Sequence, residues 1–403
     1  MTVGSSRSSR SIGNPRTRRT SARWAVVGSV LALGLVFGAL GCSSGSSNTD
    51  TSAEGGSGSG TGSLKGDGAL LKVFMPSTSN VYLAAAAKAA GAEAKKLGFT
   101  ISIVENNFDQ TEEDQQVQEW LATNEKAAAV MFWPASAANA TASIRALSRV
   151  APVLQWNQLI DPAAEEFIKI GYAGVSDIGI GDQAGKDTLA QIHKMTTDGY
   201  EFHGPGGLPN VLEISLGSGD YAAGEDRHNA FLKVVDGKVN FLGREGAAEF
   251  DAQGAFKAAS TAIPKYLSDG IDIIYVQTND MGNGVVQAAE QNGLKPGKDV
   301  FLMTGTSSGS TDNLRSGKIT TAVLQAPVIE GTLIVDNVAQ YLATGKVTDG
   351  EVTIASDEEK PELAMEPPTR VTFMMNPTVT GENIGSFKIW GYDFFRLMGD
   401  AAS

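Results

Sequence analysis

The chain has 403 residues, a formal net charge of −13, one cysteine and 42% hydrophobic residues, a composition typical of a globular protein of about two domains. Residues 1–41 contain six arginines and no acidic residue, so the remainder has 26 basic against 45 acidic residues. An acidic body repels phosphate backbones, which disfavours nucleic acid as a partner. A single cysteine excludes an internal disulfide framework and a metal cluster built from cysteines.

Residues 1–41 predict an export signal. Arginines within residues 7–23 precede an apolar run from Trp24 to Leu40, the order found in a secretory signal peptide. The run has about 17 residues, the lower limit for a membrane-spanning helix, so a single-pass anchor is the alternative interpretation. Arg18-Arg19 would suit a twin-arginine export signal, but the apolar pair expected just after it is missing.

Cys42 favours the interpretation as a signal peptide. Ala39–Cys42 resembles a bacterial lipobox, in which the cysteine is acylated after cleavage, although Leu40 lies two rather than three residues before the cysteine. Residues 43–63 contain eight Ser and six Gly and cannot bury enough surface to fold. We therefore predict a lipid-anchored tether over residues 42–67, which attaches an exported domain to the outer face of the bacterial cytoplasmic membrane.

From residue 69 onward, short apolar runs alternate with helical stretches. The predicted strands are 70–75, 99–104, 127–133, 153–156, 211–215, 238–242, 271–276, 300–304 and 319–324. The predicted helices are 82–97, one capped by Asp109, 138–150, 222–235, 251–267, 282–292 and a short one near Asn313. This alternation is typical of parallel sheets covered by helices on both faces. About 330 residues exceed one core, so we predict an α/β fold of two Rossmann-like, doubly wound lobes.

Motifs for cofactor or metal chemistry are weak. Gly179–Gly185 resembles a dinucleotide fingerprint, but its last spacing is one residue too long, so we interpret it as the start of a helix eased by glycine. Gly217–Gly219 lacks the lysine of a P-loop. His193, His203 and His228 do not form a helix-spaced pair with a carboxylate, which disfavours a zinc site. We expect no catalytic residue, cofactor or metal.

Residues at the carboxyl ends of the predicted strands indicate a different chemistry, because ligands of open α/β sheets bind there. They are Asn80, Tyr82, Trp133, Asn157 and Gln158 in the first half, and Tyr221, Arg227, Phe250, Thr278, Asn279 and Gln325 in the second. Aromatic rings cover the C–H faces of a sugar, amides both donate to and accept from hydroxyls, and a guanidinium adds a planar set of donors. Each ring alone suits a core equally well; together they favour a neutral polyhydroxylated ligand.

The chain resembles the type I solute-binding proteins of sugar ABC transporters, the ribose/galactose/xylose-binding group. The resemblance rests on Asn80–Tyr82, Glu93–Gly98, Ala151–Val153 leading to Asn157, Arg227–Phe231, Glu249–Asp251, Gln277–Asp280, and Ser316–Lys318 through Gln325–Pro327. It implies two lobes joined by three crossover strands that close over the ligand by a hinge motion, the motion known for periplasmic binding proteins. It also implies an ABC permease as membrane partner and a monomeric protein.

The same resemblance assigns lobes and residue roles. The first lobe would comprise residues 68–173 and 326–365 and the second residues 174–325 and 366–403, with the first crossover near Tyr172–Gly174. It implies polar ligand contacts from Asn80, Asn157, Arg227, Gln325 and either Thr278 or Asn279, and stacking rings from Tyr82 and Phe250. Trp133 stands where the family often has a polar residue.

The chain departs from the family pattern at two positions, and both departures widen the range of plausible ligands. Asn157-Gln158 and Thr304–Thr306 stand where family members for cyclic pentoses and hexoses commonly have an Asp-Arg pair and an Asp. Charge-assisted hydrogen bonds are the stronger ones, so a sugar alcohol or deoxy sugar is as plausible here as an aldose. A receptor that presents a sugar to a membrane sensor is the alternative function. Residues 356–368, rich in acids and prolines, are predicted to be a surface excursion.

Overall fold

The structure, a computed structural model, describes residues 65–219, 221–345, 371–373, 377–389 and 392–403. The predicted signal peptide, Cys42, most of the tether and the 356–368 excursion lie outside these residues. Within the described part of the chain, no helix combines the length and the apolar character needed to span a membrane.

Strands and helices alternate along the chain. The elements of the first half are β1 (Leu70–Met75), α1 (Val81–Lys96), β2 (Thr100–Glu105), α2 (Gln110–Thr123), β3 (Ala129–Phe132), α3 (Thr141–Leu147), β4 (Val153–Trp156), β5 (Gly171–Val175) and α4 (Asp177–Thr197). Those of the second half are β6 (Asn210–Leu216), α5 (Ala222–Val235), β7 (Asn240–Ala247), α6 (Ala252–Tyr266), β8 (Ile273–Thr278), α7 (Asn279–Gln291), β9 (Phe301–Thr306), α8 (Asp312–Arg315), β10 (Ile319–Val323) and α9 (Pro327–Thr344). The C-terminal elements are β11 (Val371–Phe373), β12 (Thr378–Val379), β13 (Lys388–Ile389), β14 (Tyr392–Asp393) and α10 (Phe394–Met398).

Two six-stranded sheets form the centres of two lobes, in the orders β11-β5-β4-β3-β1-β2 and β12-β10-β9-β8-β6-β7. The strands are parallel except β12, which is antiparallel to β10. Each sheet reverses its winding beside its first strand, between β1 and β3 and between β6 and β8. Ligands bind at such switch points, outside the carboxyl ends of the strands. The predicted fold class is confirmed.

Three connections cross between the sheets. The chain leaves the first sheet after β5 and enters α4, which packs on α5 of the second lobe; it returns after β10 into α9, which packs on α1. The third crossing lies between β11 and β12. The predicted lobe boundaries need two corrections, because β5 extends to Val175 in the first sheet and β11 pairs with β5 rather than with the second lobe.

Successive side chains of a strand point to opposite faces of the sheet, so one strand contributes to the core on both faces. Leu71, Val73 and Met75 of β1 lie in a core shared with α1 and α9, whereas Phe74 contributes to the core on the opposite face. Full burial of such side chains contributes about 1.5–3 kcal/mol each to the free energy of folding. These cores fix the strand ends, and therefore the position of the side chains that follow them.

Several predicted element boundaries differ from the structure, and for two of them the reason is clear. β7 continues to Ala247 instead of ending at 242, because it is the edge strand of its sheet and its half-buried Arg244 and Glu245 interrupt the apolar pattern. α7 begins at Asn279 instead of 282, because the Thr278 side chain accepts from the backbone N–H of Met281 and caps the helix.

Candidate functional site

A cavity lies between the carboxyl ends of the two sheets and has walls from both lobes. The space between its walls, including the part open to solvent, is about 480 Å³. Its lining residues are Asn80, Tyr82, Leu83, Phe108, Trp133, Asn157, Leu216, Tyr221, Ala223, Arg227, Phe250, Thr278, Thr306, Ser308 and Gln325. Five of them are aromatic, and the polar ones are mostly amides and hydroxyls.

Three rings that line the cavity meet across the two lobes. Phe108 follows β2 of the first lobe, and its ring centroid lies 5.1 Å from that of Phe250 and 6.1 Å from that of Tyr221, both in the second lobe. The Asn80 amide, Nδ2, also donates to the Phe250 carbonyl at 3.2 Å. The Tyr221 hydroxyl faces Trp133 and Gln158 of the first lobe. The two lobes are therefore in contact around the cavity, as in a closed cleft.

Asn80 and Trp133 shape the wall of the first lobe. Asn80 caps α1 with its side-chain oxygen, which accepts from the backbone N–H groups of Tyr82 and Leu83. Trp133 follows β3 and packs on Trp156 with a centroid distance of 5.1 Å, and both indoles are buried. Trp133 therefore lines the cavity with a ring that is packed against the buried ring of Trp156.

Asn157 occupies a strained position at the end of β4. Its φ of 63° is left-handed, a conformation that is costly outside glycine and that clusters at ligand sites. Its N–H donates to the Ala173 carbonyl at 2.8 Å, its carbonyl accepts from the Tyr172 hydroxyl, and its Nδ2 donates to Glu330 Oε1 at 2.8 Å. The backbone and amide nitrogen are therefore held by the protein, while the residue lines the cavity.

Glu330 is a buried carboxyl behind this wall, 1% exposed, at the start of α9. Besides Asn157, it accepts from the Tyr82 hydroxyl, at 2.5 Å from Oε2. Burial raises the pKa of Glu330 to about 7, and the hydrogen bonds from Tyr82 and Asn157 oppose that rise. Gly331 permits the arrangement, because a Cβ there would collide with the Ala86 carbonyl of α1.

Arg227 forms the charged part of the second-lobe wall and is 5% exposed. Its Nε donates to Asp177 Oδ1 at 2.8 Å, its Nη1 to the Gln277 carbonyl at 2.9 Å, and its Nη2 to Gln325 Oε1 at 3.4 Å. Burial raises the pKa of Asp177, and the adjacent Arg227 opposes the rise. Gly181 of α4 lets α5 approach, because a Cβ there would overlap the Arg227 carbonyl.

Comparison with known proteins agrees with this geometry. A family model described as a periplasmic binding protein domain matches residues 71–346. The chain belongs to this family. Its members bind solutes and are not enzymes, as the sequence predicts.

Individual relatives are distant. The fructose import binding protein FruE of Bifidobacterium longum (strain NCC 2705) is 24% identical over 207 residues, 51% of this chain and 58% of that protein, so the match spans little more than half of it. The periplasmic component of the arabinose ABC transporter from Shewanella sp. ANA-3, bound to α- and β-L-arabinofuranose, aligns with a TM-score of 0.64 and 16% identity over 79% of this chain and 93% of that one. The Caulobacter myo-inositol binding protein aligns with a TM-score of 0.63 and 13% identity over 79% of this chain and 95% of that one.

All but two of the predicted ligand-binding residues line the cavity of this binding protein. Asn279 does not: it lies in the first turn of α7, and its Nδ2 donates to the Ser308 and Ser310 carbonyls. Of the two alternatives at this position, Thr278 is the one in the wall. Gln158 is buried behind the wall beside Tyr221. The ligand contacts themselves remain predictions.

Sequence reasoning missed several residues of the site. Phe108, Thr306 and Ser308 line the cavity, and Phe108 follows β2 at its carboxyl end, so the rule applied to the other strands would have found it. Glu330 shares α9 with a second acid, Asp336, so the sequence alone does not single it out. Asp177 could be found only by recognising that α4 begins there.

One sequence pattern resembles a hydrolase motif. Gly305–Gly309 has the spacing Gly-x-Ser-x-Gly, but Ser307 is buried and its Oγ contacts the Met398 sulfur at 3.3 Å. Within the described residues, Ser307 has no imidazole or carboxylate as a hydrogen-bond partner, so the pattern does not form a nucleophile with a base.

Proposed function

We propose that the protein is the extracytoplasmic solute-binding component of an ABC importer and captures a neutral sugar or sugar alcohol between its lobes by hinge closure. The observation that carries the proposal is the cavity itself, in which five rings and several amides and hydroxyls from both lobes surround one guanidinium. Rings bind the C–H faces of a sugar, and amides bind its hydroxyls.

The charges around the cavity favour a neutral ligand. Arg227 is the charged residue among the lining residues of this cavity, and Asp177 neutralises it at 2.7–2.8 Å. A ligand carboxylate or phosphate would compete with Asp177 for the guanidinium and leave a buried charge unpaired, which is costly. Hydroxyl groups accept from Arg227 without adding charge.

The absence of carboxylates from the lining bears on the ligand class. Asn157 and Thr306 line the wall near the two positions where the related sugar-binding proteins commonly place aspartates, and neither is ionisable. The ligand therefore gains fewer charge-assisted hydrogen bonds and more ring contact. Sugar alcohols and deoxy sugars belong in the proposal beside pentoses and hexoses.

We also propose that Cys42 anchors the protein to the outer face of the cytoplasmic membrane. This rests on the sequence Ala39–Cys42 and on the Gly/Ser-rich segment that follows it. Cys42→Ala should abolish labelling by an acyl-lipid precursor and move the protein out of the membrane fraction, whereas Ser43→Ala should not. Unchanged labelling of Cys42→Ala would exclude this anchor.

A thermal-shift panel tests the ligand class. The probes are D-fructose, L-arabinose, D-ribose, D-allose, myo-inositol, sorbitol and L-fucose, with D-galacturonate and L-glutamate as charged controls. A ligand at 100 times its Kd adds about 2.7 kcal/mol, which raises the Tm of a domain of this size by about 4 °C. At least one neutral probe should produce this shift and the charged controls none. A shift with only the charged compounds would refute the proposal.

A further inference from the structure

Asn157 has a free oxygen whose direction is set by its neighbours. Its backbone N–H, its carbonyl and its Nδ2 are engaged by Ala173, Tyr172 and Glu330. Among the described residues, Oδ1 has no hydrogen-bond partner, and the residue lines the cavity. An amide turned the other way would place Nδ2 toward the cavity and Oδ1 against the carboxylate of Glu330, where two acceptors would repel each other.

Tyr82 is oriented by the same carboxyl. Its hydroxyl donates to Glu330 Oε2, behind the wall, so the ring rather than the hydroxyl is available to the cavity. Both oxygens of Glu330 are thus occupied by donors that belong to two wall residues, one on α1 and one after β4. The close approach of α9 to α1 at Gly331 keeps the carboxyl in this place.

We propose that Glu330 is a specificity-determining positioning residue: it fixes the direction of the Asn157 amide and thereby makes the first-lobe wall a hydrogen-bond acceptor for a donating hydroxyl of the ligand. The inference rests on the proposed sugar-binding function. The opposite wall holds Arg227, a donor, so a hydroxyl that gives a proton to Asn157 and accepts one from Arg227 suits both walls. An ether oxygen or a fluorine accepts but cannot donate, so Asn157 discriminates against it.

The ionisation of Glu330 bears on this role, because only the carboxylate accepts with both oxygens. The groups that face it are Tyr82 from α1, Tyr172 from β5 and Asp177 from α4, with the Arg227 guanidinium beyond Asp177. Burial raises the pKa of Glu330 to about 7. Protonation turns one oxygen into a donor and permits the Asn157 amide to reverse, so discrimination should be stronger at pH 8 than at pH 6.

Glu330→Gln tests the proposal because glutamine keeps the shape but offers only one acceptor. The probe is the neutral sugar of the panel with the lowest Kd, together with its monodeoxyfluoro analogues, titrated by calorimetry at pH 8. In the wild type, fluorine at the position facing Asn157 should weaken binding about fivefold or more, the value of one net hydrogen bond. In Glu330→Gln that selective loss should disappear.

Matched variants separate positioning from general damage. Asp336→Asn makes the same chemical change on α9, away from the cavity, and should retain the wild-type preference. Asn157→Gly suits the left-handed backbone and removes the amide; in that background Glu330→Gln should have little further effect on selectivity. Equal weakening of every analogue by Glu330→Gln would show a merely structural role and overturn the proposal.

A measurement on the ligand-free protein tests whether Glu330 orients the Asn157 amide, even if no sugar binds and the proposed function fails. In protein labelled with ¹⁵N-asparagine, the Asn157 side-chain signal is identified by its loss in Asn157→Gly. It should shift between pH 6 and pH 8 in the wild type and become independent of pH in Glu330→Gln. An Asn157 signal that Glu330→Gln leaves unchanged would show that Glu330 does not orient the amide.

Discussion

At the scale of single residues, the site combines groups that face the cavity with buried groups that hold them. Arg227 belongs to both classes, since it lines the cavity and compensates Asp177. Arg227 thus pairs with Asp177 of α4 and not with Glu225, its neighbour in the sequence. Glu225 instead pairs with Arg244 at 2.5 Å, and Arg227 is buried.

Removing Arg227 should therefore damage both stability and binding. Arg227→Ala leaves the buried Asp177 unpaired, which costs about 3–5 kcal/mol unless Asp177 takes up a proton. The double variant Asp177→Leu with Arg227→Met removes both charges and should unfold close to the wild type in urea. Its affinity should still fall about ten- to hundredfold, because charged hydrogen bonds to the ligand are lost. Calorimetric titration showing wild-type affinity in the double variant would exclude a ligand contact by Arg227.

At the scale of elements, close helix packing positions the charged pair. Gly181 brings α4 against the Arg227 carbonyl of α5, so the first turn of α4 can place Asp177 beside the guanidinium. The Gly179–Gly185 segment that resembles a dinucleotide motif serves helix packing here, and its interpretation as a helix start is correct.

A matched pair of glycine substitutions tests this packing. Gly181→Ala should lower the free energy of unfolding by about 1–3 kcal/mol through overpacking and weaken sugar binding by moving Arg227. Gly91→Ala in α1 meets only Ile101 Cγ2 at 4.0 Å and should raise stability by about 0.5–1 kcal/mol without changing affinity. Urea unfolding and calorimetry measure both quantities. Equal stability changes in the two variants would contradict the close contact at Gly181.

The elements also show which parts of the structure could be predicted from the sequence. The buried central strands, such as β8 and β9, have continuous apolar runs and could be located from sequence, and with them the strand-end residues of the cavity. The edge strand β7 lacks such a run, and the lobe boundary near β11 depends on strand pairing between distant residues. Asp177 and Glu330 are unpredictable for the same reason: their partners lie 50 and 248 residues away in the chain.

At the scale of the whole molecule, buried carboxyls link the stability of the protein to pH. Glu113 connects the first-lobe loops: it accepts from the Asn106 amide at 2.8 Å and from the Ala135 N–H at 2.9 Å. Burial raises its pKa to about 7. Burial, and then the neighbouring Glu93, raises the pKa of Asp336 on α9. Glu330 makes a third such group, so the folded protein holds protons that the unfolded chain would release at neutral pH.

The sign of the pH dependence follows from these raised values. A carboxyl whose pKa is about 7 in the folded state and about 4.3 in the unfolded chain binds its proton more tightly when folded. Its contribution to stability is complete below the unfolded pKa and is lost as the pH rises through about 7. For Glu113 and Glu330 the loss is about 4 kcal/mol each, at 1.36 kcal/mol per pKa unit.

We therefore expect the free energy of unfolding in urea to fall as the pH is raised from 5 to 8. The triple variant Glu113→Gln, Glu330→Gln and Asp336→Asn should flatten this dependence, because its neutral side chains cannot ionise. The matched control replaces the exposed Glu119, Glu166 and Glu201 by glutamine and should keep the wild-type slope. If stability instead rises between pH 5 and 8, or the triple variant keeps the full slope, these carboxyls are ionised in the folded protein at pH 5. Glu330 would then hold Asn157 in one direction over the whole range, and sugar selectivity would not depend on pH.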